Sequence, residues 1–320
     1  MLNTTIEKIS NSSPRFLLIG DIMLDKYIFG SVDRISPEAP VPIVKFSNEK
    51  KMLGGCGNVL RNLKNLGANI SVISAVGDDS VGKHILEYLS TDKISTSGIQ
   101  IINKNRSTEK VRIIADGQQI ARLDWDMEVF KNKDSKSIAN LIKNNLKNYD
   151  GVIVSDYKKG VCSSIVMKRI LNTAIDNSVP VFIDPKGDNW DKYHSANLIT
   201  PNKKEVELVV EKKLQSNKDF EFAGKKICKD YNIDACLITR GPDGMSYVGS
   251  KKIFHLKSNA REIFDVSGAG DTVIAAISSA IIANLPIEDA VDFANKAAGI
   301  VVGHIGTSAI NIDEMRRLIS

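Results

Sequence analysis

The chain has 320 residues, enough for about two ordinary domains or one large α/β unit with an appendage. Its 42% hydrophobic and 25% charged content excludes disordered, collagen-like and fibrous chains. Lys+Arg 43 against Asp+Glu 38 leaves +5, scattered in short pairs such as Lys203-Lys204, so an anionic small substrate is expected rather than nucleic acid.

From about residue 14, after a polar stretch over 1–13 expected to be flexible, strand and helix patterns alternate. Residues 16–20 form an apolar run of strand length. Residues 41–46 predict a further strand, with prolines at its start, hence an edge. A helix over 59–66, a strand over 71–76 and a helix over 81–89 follow. Residues 111–115 and 118–123, joined by Asp116-Gly117, predict a β-hairpin with a type I′ turn. Helices over 135–146 and 164–175 then alternate with strands over 151–155, 179–184, 197–200 and 235–239. The longest apolar stretch, 272–285, reads as a buried helix too short to span a bilayer. This alternation predicts an α/β fold, a mostly parallel sheet with helices on both faces. The β pieces from about 22–48 and 101–125 predict a small sheet standing off it as a lid.

Ligands of an open parallel sheet sit at the carboxyl ends of its strands. Asp21, Asp78, Asp156, Asp184, Asn202 and Arg240 all fall there, which predicts one crowded polar edge. No signal peptide opens the chain, and Cys56, Cys162, Cys228 and Cys236 show no CxxC spacing; reduced thiols in a cytoplasmic protein are expected. The four histidines show no ligand spacing, so no zinc site is expected.

The strongest local motif is Asp265-Val-Ser-Gly-Ala-Gly-Asp271, which runs into the apolar helix. Small residues at a helix N-terminus expose backbone N–H groups to an anion, and a carboxylate there can orient a hydroxyl for attack on a phosphate. A glycine turn with Asp271 as a cap fits the same letters. Asn202 and Glu205, one turn apart after Thr200-Pro201, suit either hydrated Mg²⁺ or a capping box. Gly54-Gly55-Cys-Gly57-Asn58 suits close approach of backbone to a sugar or a simple helix start. Gly77 to His84 nearly fits a P-loop, but His84 stands where a hydroxyl is required, and Asp78 and Asp79 would repel phosphate.

In this order the motifs resemble the ribokinase/PfkB family of carbohydrate kinases over nearly all of residues 14–315. The resemblance implies a ribokinase-like kinase domain over 14–320, with ATP and Mg²⁺ as cofactors. It makes Asp271 the catalytic base, with backbone N–H groups of Gly268, Ala269 and Gly270 stabilising the transferring phosphoryl group. An aspartate at its ordinary pKa of about 3.9 is a weak base, so Asp271 is expected mainly to orient the hydroxyl. Asn202, Glu205, Thr239, Gly241 and Asn295 would border the nucleotide, with Glu205 reaching the metal through water.

A narrower resemblance lies in Gly20-Asp-Ile-Met-Leu-Asp25-Lys-Tyr27, Arg34-Ile-Ser-Pro, Ser155-Asp-Tyr-Lys-Lys-Gly160 and Asp184-Pro-Lys-Gly187. These are similar to the branch that phosphorylates the anomeric hydroxyl of D-glycero-D-manno-heptose 7-phosphate on the way to ADP-heptose for lipopolysaccharide. It implies that Asp25, Gly54, Gly55, Asn58 and Asp156 bind the sugar and that Lys158, Lys186 and Arg122, with Arg34 a further candidate, meet its phosphate. Other PfkB-type sugar or nucleoside kinases, or a non-catalytic sugar-binding regulator on this fold, are the rival readings. That branch is often joined to a nucleotidyltransferase half; its His-x-Gly-His element is absent before Ser320, which implies a stand-alone kinase or one half of a longer protein. No membrane partner is expected. A homodimer through the lid is, because Ile113, Ile120 and Leu123 would otherwise stay exposed on a small sheet.

Overall fold

Apolar runs of strand length become strands buried from both sides, and the alternation of side chains along them separates two cores. In β1 (Arg15–Gly20), Phe16 and Leu18 join one core, while Leu17 and Ile19 join the other. The structure, a computed structural model, describes residues 2–127, 130–142, 146–259, 265–304 and 306–317. Among these, the further strands are β2 (Ile22–Ile35), β3 (Pro42–Gly55), β4 (Asn69–Gly77), β5 (Ile99–Ile102), β6 (Glu109–Ala115) and β7 (Gln118–Trp125). Then come β8 (Gly151–Ser155), β9 (Val181–Asp184), β10 (Leu198–Ile199), β11 (Ala235–Thr239), β12 (Met245–Gly249) and β13 (Ile253–Leu256). The main sheet has the order β13-β12-β11-β10-β9-β8-β1-β4-β5. It is parallel from β5 to β11 and antiparallel at β12 and β13.

Helices cover both faces. On one side lie α1 (Leu2–Ser12), α2 (Cys56–Asn65) and α3 (Ser80–Thr91). The other carries α4 (Asn132–Leu141), α5 (Ser164–Asn177), α6 (Lys203–Val210) and α7 (Asn217–Asp230). The first side is completed by α8 (Ala269–Ile282), α9 (Ile287–Val301) and α10 (Ile312–Arg317). This is the α/β arrangement expected, a mostly parallel sheet with helices on both faces and a small second sheet. Residues 1–13 are a correction: 2–12 form α1, because Ile6 and Ile9, three apart on one helical face, bury fully against the core. The helix expected over 135–146 is seen as α4; residues 143–145 lie outside the described residues.

The second sheet has the order β3-β2-β6-β7. Its hairpin turns at Asp116 (φ 50°) and Gly117 (φ 80°), the paired positive values of a type I′ turn. The boundaries shift from the expected ones. Ile101 and Ile102 belong to β5 of the main sheet, whereas β3 runs past residue 48 to Gly55, directly into α2. Tyr27, Met52 and Ile114, with Phe29, form the small core on the inner lid face. All four cysteines are free thiols, with Cys56, Cys162 and Cys236 buried. Among the described residues no helix is long and apolar enough to cross a membrane.

Candidate active site

The carboxyl ends of β1, β8, β9 and β11 open toward the N-terminus of α8. Gly268 caps this helix at φ 83°; a Cβ there would lie 2.5 Å from Asn58 Nδ2, so only glycine fits. The preceding turn is pinned by Asp265, whose carboxylate accepts from Ser267 N–H (2.8 Å) and Gly306 N–H (3.0 Å). Gly268, Ala269 and Gly270 line the cleft, and Ala269 N–H donates to Val266 O (3.3 Å).

One turn into α8, the Asp271 carboxylate is 1% exposed. Asn58 Nδ2 donates to its Oδ2 (3.0 Å), and the Tyr157 hydroxyl donates to Oδ1 (2.8 Å). Burial pushes its pKa up to about 7, and the charge of Asp25 adds to the rise; the two hydrogen bonds and Lys110 oppose it. The ordinary aspartate expected from the sequence is therefore a group poised to take a proton near neutral pH. Asn58 is buried too, and its Oδ1 has no partner among the described residues, so an acceptor waits beside Asp271.

A cleft of about 560 Å³ extends from this point. Asn202, Glu205, Thr239, Gly241 and Asn295, the predicted nucleotide residues, all line it, with Asp184 and Lys186. Asn295 Nδ2 donates to Lys257 O (2.7 Å), which fixes its amide at the cleft wall. Of the two readings open for Asn202 and Glu205, the capping box is present. Asn202 Oδ1 accepts from Glu205 N–H (3.0 Å), and Glu205 Oε2 accepts from Asn202 N–H (2.9 Å). Glu205 Oε1 accepts from Lys186 Nζ (2.7 Å), so both its oxygens are engaged. Asp184 is more open: among the described residues only Thr200 Oγ1 donates to it (3.3 Å), and its Oδ2 lies beside the start of α8. Burial and the charges of Glu205 and Asp271 hold its carboxyl well above the usual range, as suits a group awaiting a cation. Among the described residues no group of three or more His, Cys, Asp or Glu is placed to hold a metal ion. Two carboxylates on the cleft wall, Asp184 and Glu205, are hard oxygen donors of the kind that suits a magnesium ion keeping most of its waters.

On the lid side, Asp25 is buried and bonded to Arg112 Nη1 (2.6 Å) and Thr307 Oγ1 (3.1 Å). The Tyr27 hydroxyl accepts from Thr307 N–H (3.1 Å), which ties β2 to the segment after α9. A Cβ on Gly54 would lie 2.1 Å from Asp25 Oδ2; this glycine makes room for the carboxylate itself. Gly55, the N-cap of α2 at φ 58°, would clash with Asp21 O.

The cations predicted for a sugar phosphate separate. Lys186 lines the cleft with the residues expected to border the nucleotide, and is paired with Glu205. Lys158 is largely exposed and faces Asp188 at 3.9 Å. Arg34 is exposed near the end of β2. Arg122 stands in register with Arg112 on the same lid face but is half exposed and bonded to Asp124 (2.9 Å). Asp156 lines the cleft, and its carboxylate is also engaged in the protein. Its buried carboxylate accepts from Tyr193 OH (2.7 Å), Lys158 N–H (2.7 Å) and Lys192 Nζ, so it anchors the loop after β8. The near-P-loop is a capped helix: Asp79 Oδ1 accepts from Gly82 N–H (2.8 Å).

Tyr157, Arg112, Lys110 and Thr307 were missed. Period-two alternation in β6, with Lys110 and Arg112 on one face, could have signalled two of them. Tyr157 stood unremarked between two chosen residues.

Comparison with known proteins agrees with this fold. The pfkB family carbohydrate kinase profile matches residues 15–314. The bifunctional protein HldE of Aliarcobacter butzleri is 40% identical over 307 residues, 95% of this chain. The chain spans about 64% of the length of that relative. Phosphofructokinase-2 from Escherichia coli superimposes with a TM-score of 0.78 at 17% identity, over 95% of this chain and 97% of that one. Arabidopsis thaliana ribokinase does so with 0.73 at 18%, over 96% and 99%.

Proposed function

The chain belongs to the pfkB family of carbohydrate kinases, which makes it an ATP-dependent sugar kinase, and from that premise we propose that its acceptor is the anomeric hydroxyl of D-glycero-D-manno-heptose 7-phosphate. The single observation that carries a phosphoryl-transfer reading is the buried Asp271, at the N-terminus of α8, with its pKa near 7. In this reading Asp271 takes the proton of the attacking hydroxyl. The first-turn N–H groups of Gly268, Ala269 and Gly270, and the positive end of the helix dipole, stabilise charge on the transferring group. Thr239, Gly241 and Asn295 border the nucleotide, and Lys186 faces its phosphates.

Asp184, and Glu205 through water, would hold a hydrated Mg²⁺, which when bound neutralises phosphate charge. Asn58 Oδ1 accepts a sugar hydroxyl, the donor that this buried atom lacks. Arg122 is the lid cation available to the sugar's phosphate. Its exposed pair with Asp124 is weak, and strand register keeps it on the inner face with Arg112.

The heptose assignment rests on the runs 20–27 and 155–160 and on the similarity to the HldE relative over 95% of the chain. A homodimer through the lid fits the exposure of Ile35, Val41, Phe46, Ile120 and Leu123 on the second sheet and its β2–β3 connection. ADP release from a panel of heptose 7-phosphate, heptose, ribose and fructose 6-phosphate tests the acceptor. Turnover fastest with heptose 7-phosphate by at least tenfold in kcat/KM is expected, and a preference for an unphosphorylated sugar overturns the assignment.

A further inference from the structure

The loop after β8 is built around the buried carboxylate of Asp21. Asp21, 2% exposed, accepts three backbone N–H groups: Tyr157 (2.8 Å), Lys159 (3.0 Å) and Val161 (3.0 Å). Asp156 takes a fourth, from Lys158, which adopts φ 59°. Two buried acids thus fix one short turn, and its inward side chain is Tyr157. The ring lies beneath Lys110 Nζ, 5.3 Å from its centroid, and the hydroxyl ends on Asp271. Burial and the charge of Asp271 hold this phenol well above its ordinary pKa, so it remains a donor throughout the working range.

We propose that Tyr157 is a positioning residue for phosphoryl transfer: its hydroxyl orients the Asp271 carboxylate and stabilises the ionised form that accepts the sugar proton. The inference rests on Asp271 being the base. The groups facing that carboxylate come from several elements. Asn58 on α2 and Tyr157 touch it; Lys110 on β6 and Asp25 on β2 act on it through their charges, and Asp184 at the end of β9 stands near. Among the described residues only Tyr157 and Asn58 donate hydrogen bonds to it. A hydrogen bond to the charged form favours ionisation, and each charge-assisted bond contributes about one pH unit. Without the phenol the base should be protonated at higher pH.

The test is Tyr157→Phe in the full chain, with kcat and KM measured by ADP release from pH 5.5 to 9.5 using the panel sugar that wild type turns over best. Expected is a kcat about fivefold lower at pH 7, an acid limb moved up by about one pH unit, and recovery to within about twofold of wild type at pH 9. Replacement of Tyr157 by 3,5-difluorotyrosine, a stronger donor of nearly the same shape, should move the limb to lower pH. It also covers the case in which the phenylalanine variant does not fold. A kcat lowered equally at every pH, or an acid limb unmoved in either variant, overturns the proposal. Asp271→Asn measured alongside separates the two levels: more than a tenth of wild-type kcat in that variant removes the base itself, whatever Tyr157 does.

Discussion

Asp271→Asn should abolish turnover and yet raise the melting temperature. The carboxylate is buried, and burial holds its pKa at about 7, against an ordinary 3.8. At about 1.36 kcal/mol per unit, its ionisation costs the fold at most about 4 kcal/mol. The sign follows from the folded pKa lying above the unfolded one. The cost is absent below about pH 4, grows as pH rises, and is complete above about pH 7. Asparagine carries no charge and leaves no cavity. Its oxygen can still accept from Tyr157, and its amide would face Asn58. The Asn58 amide can turn to present Oδ1, which has no partner, so the contact becomes a hydrogen bond instead of a clash. The variant should therefore gain about 1–4 kcal/mol at pH 8 and under about 2 kcal/mol at pH 5. An unfolding entropy of about 2.1 cal/mol/K per residue makes 1 kcal/mol worth about 1.5 °C for 320 residues. Scanning calorimetry should show a rise of about 2–6 °C at pH 8 that narrows toward pH 5, with kcat down about 10²–10⁴-fold. An equal or lower melting temperature at pH 8, or a difference that does not narrow, would refute the burial of an ionised base.

What the sequence disclosed is what local physics controls. Strands buried on both faces read as continuous apolar runs, so β1, β8 and β11 were found nearly to the residue. Asp116-Gly117 selects its turn by backbone conformation alone, and Gly268 and Asp271 announce a helix start. The residues of the cleft were legible because strand exits converge there in any such sheet. The lid side was not, because its contacts are remote in sequence: Asp25 meets Arg112 across 87 residues and Thr307 across 282, and Tyr157 meets Asp271 across 114. Lys158 and Lys186 look alike at two strand exits. One is turned outward in a left-handed turn and the other is drawn inward by Glu205, a difference that only the folded chain contains. α1 was overlooked because its polar composition hides a two-isoleucine stripe.

Three further outcomes follow from the same geometry. Arg112→Ala leaves Asp25 buried without its cation, which should cost about 3–5 kcal/mol. The sugar KM should rise at least tenfold while the ATP KM stays within twofold; equal changes in both would remove Arg112 from the sugar side. Lys186→Ala should raise the KM for ATP more than that for the sugar phosphate, because its partner Glu205 lines the nucleotide cleft, and the reverse order in steady-state kinetics would return Lys186 to the sugar site. The lid should join two copies: Phe46 is 62% exposed, Leu123 47% and Ile120 41%, on a four-stranded sheet whose inner face is already committed to Asp25, Tyr27 and Arg112. Light scattering at micromolar protein should give twice 35.1 kDa, and Phe46→Asp or Ile120→Asp should halve it; a wild-type mass near 35.1 kDa, or a dimer unaffected by both charges, would show that the lid's apolar residues face solvent alone.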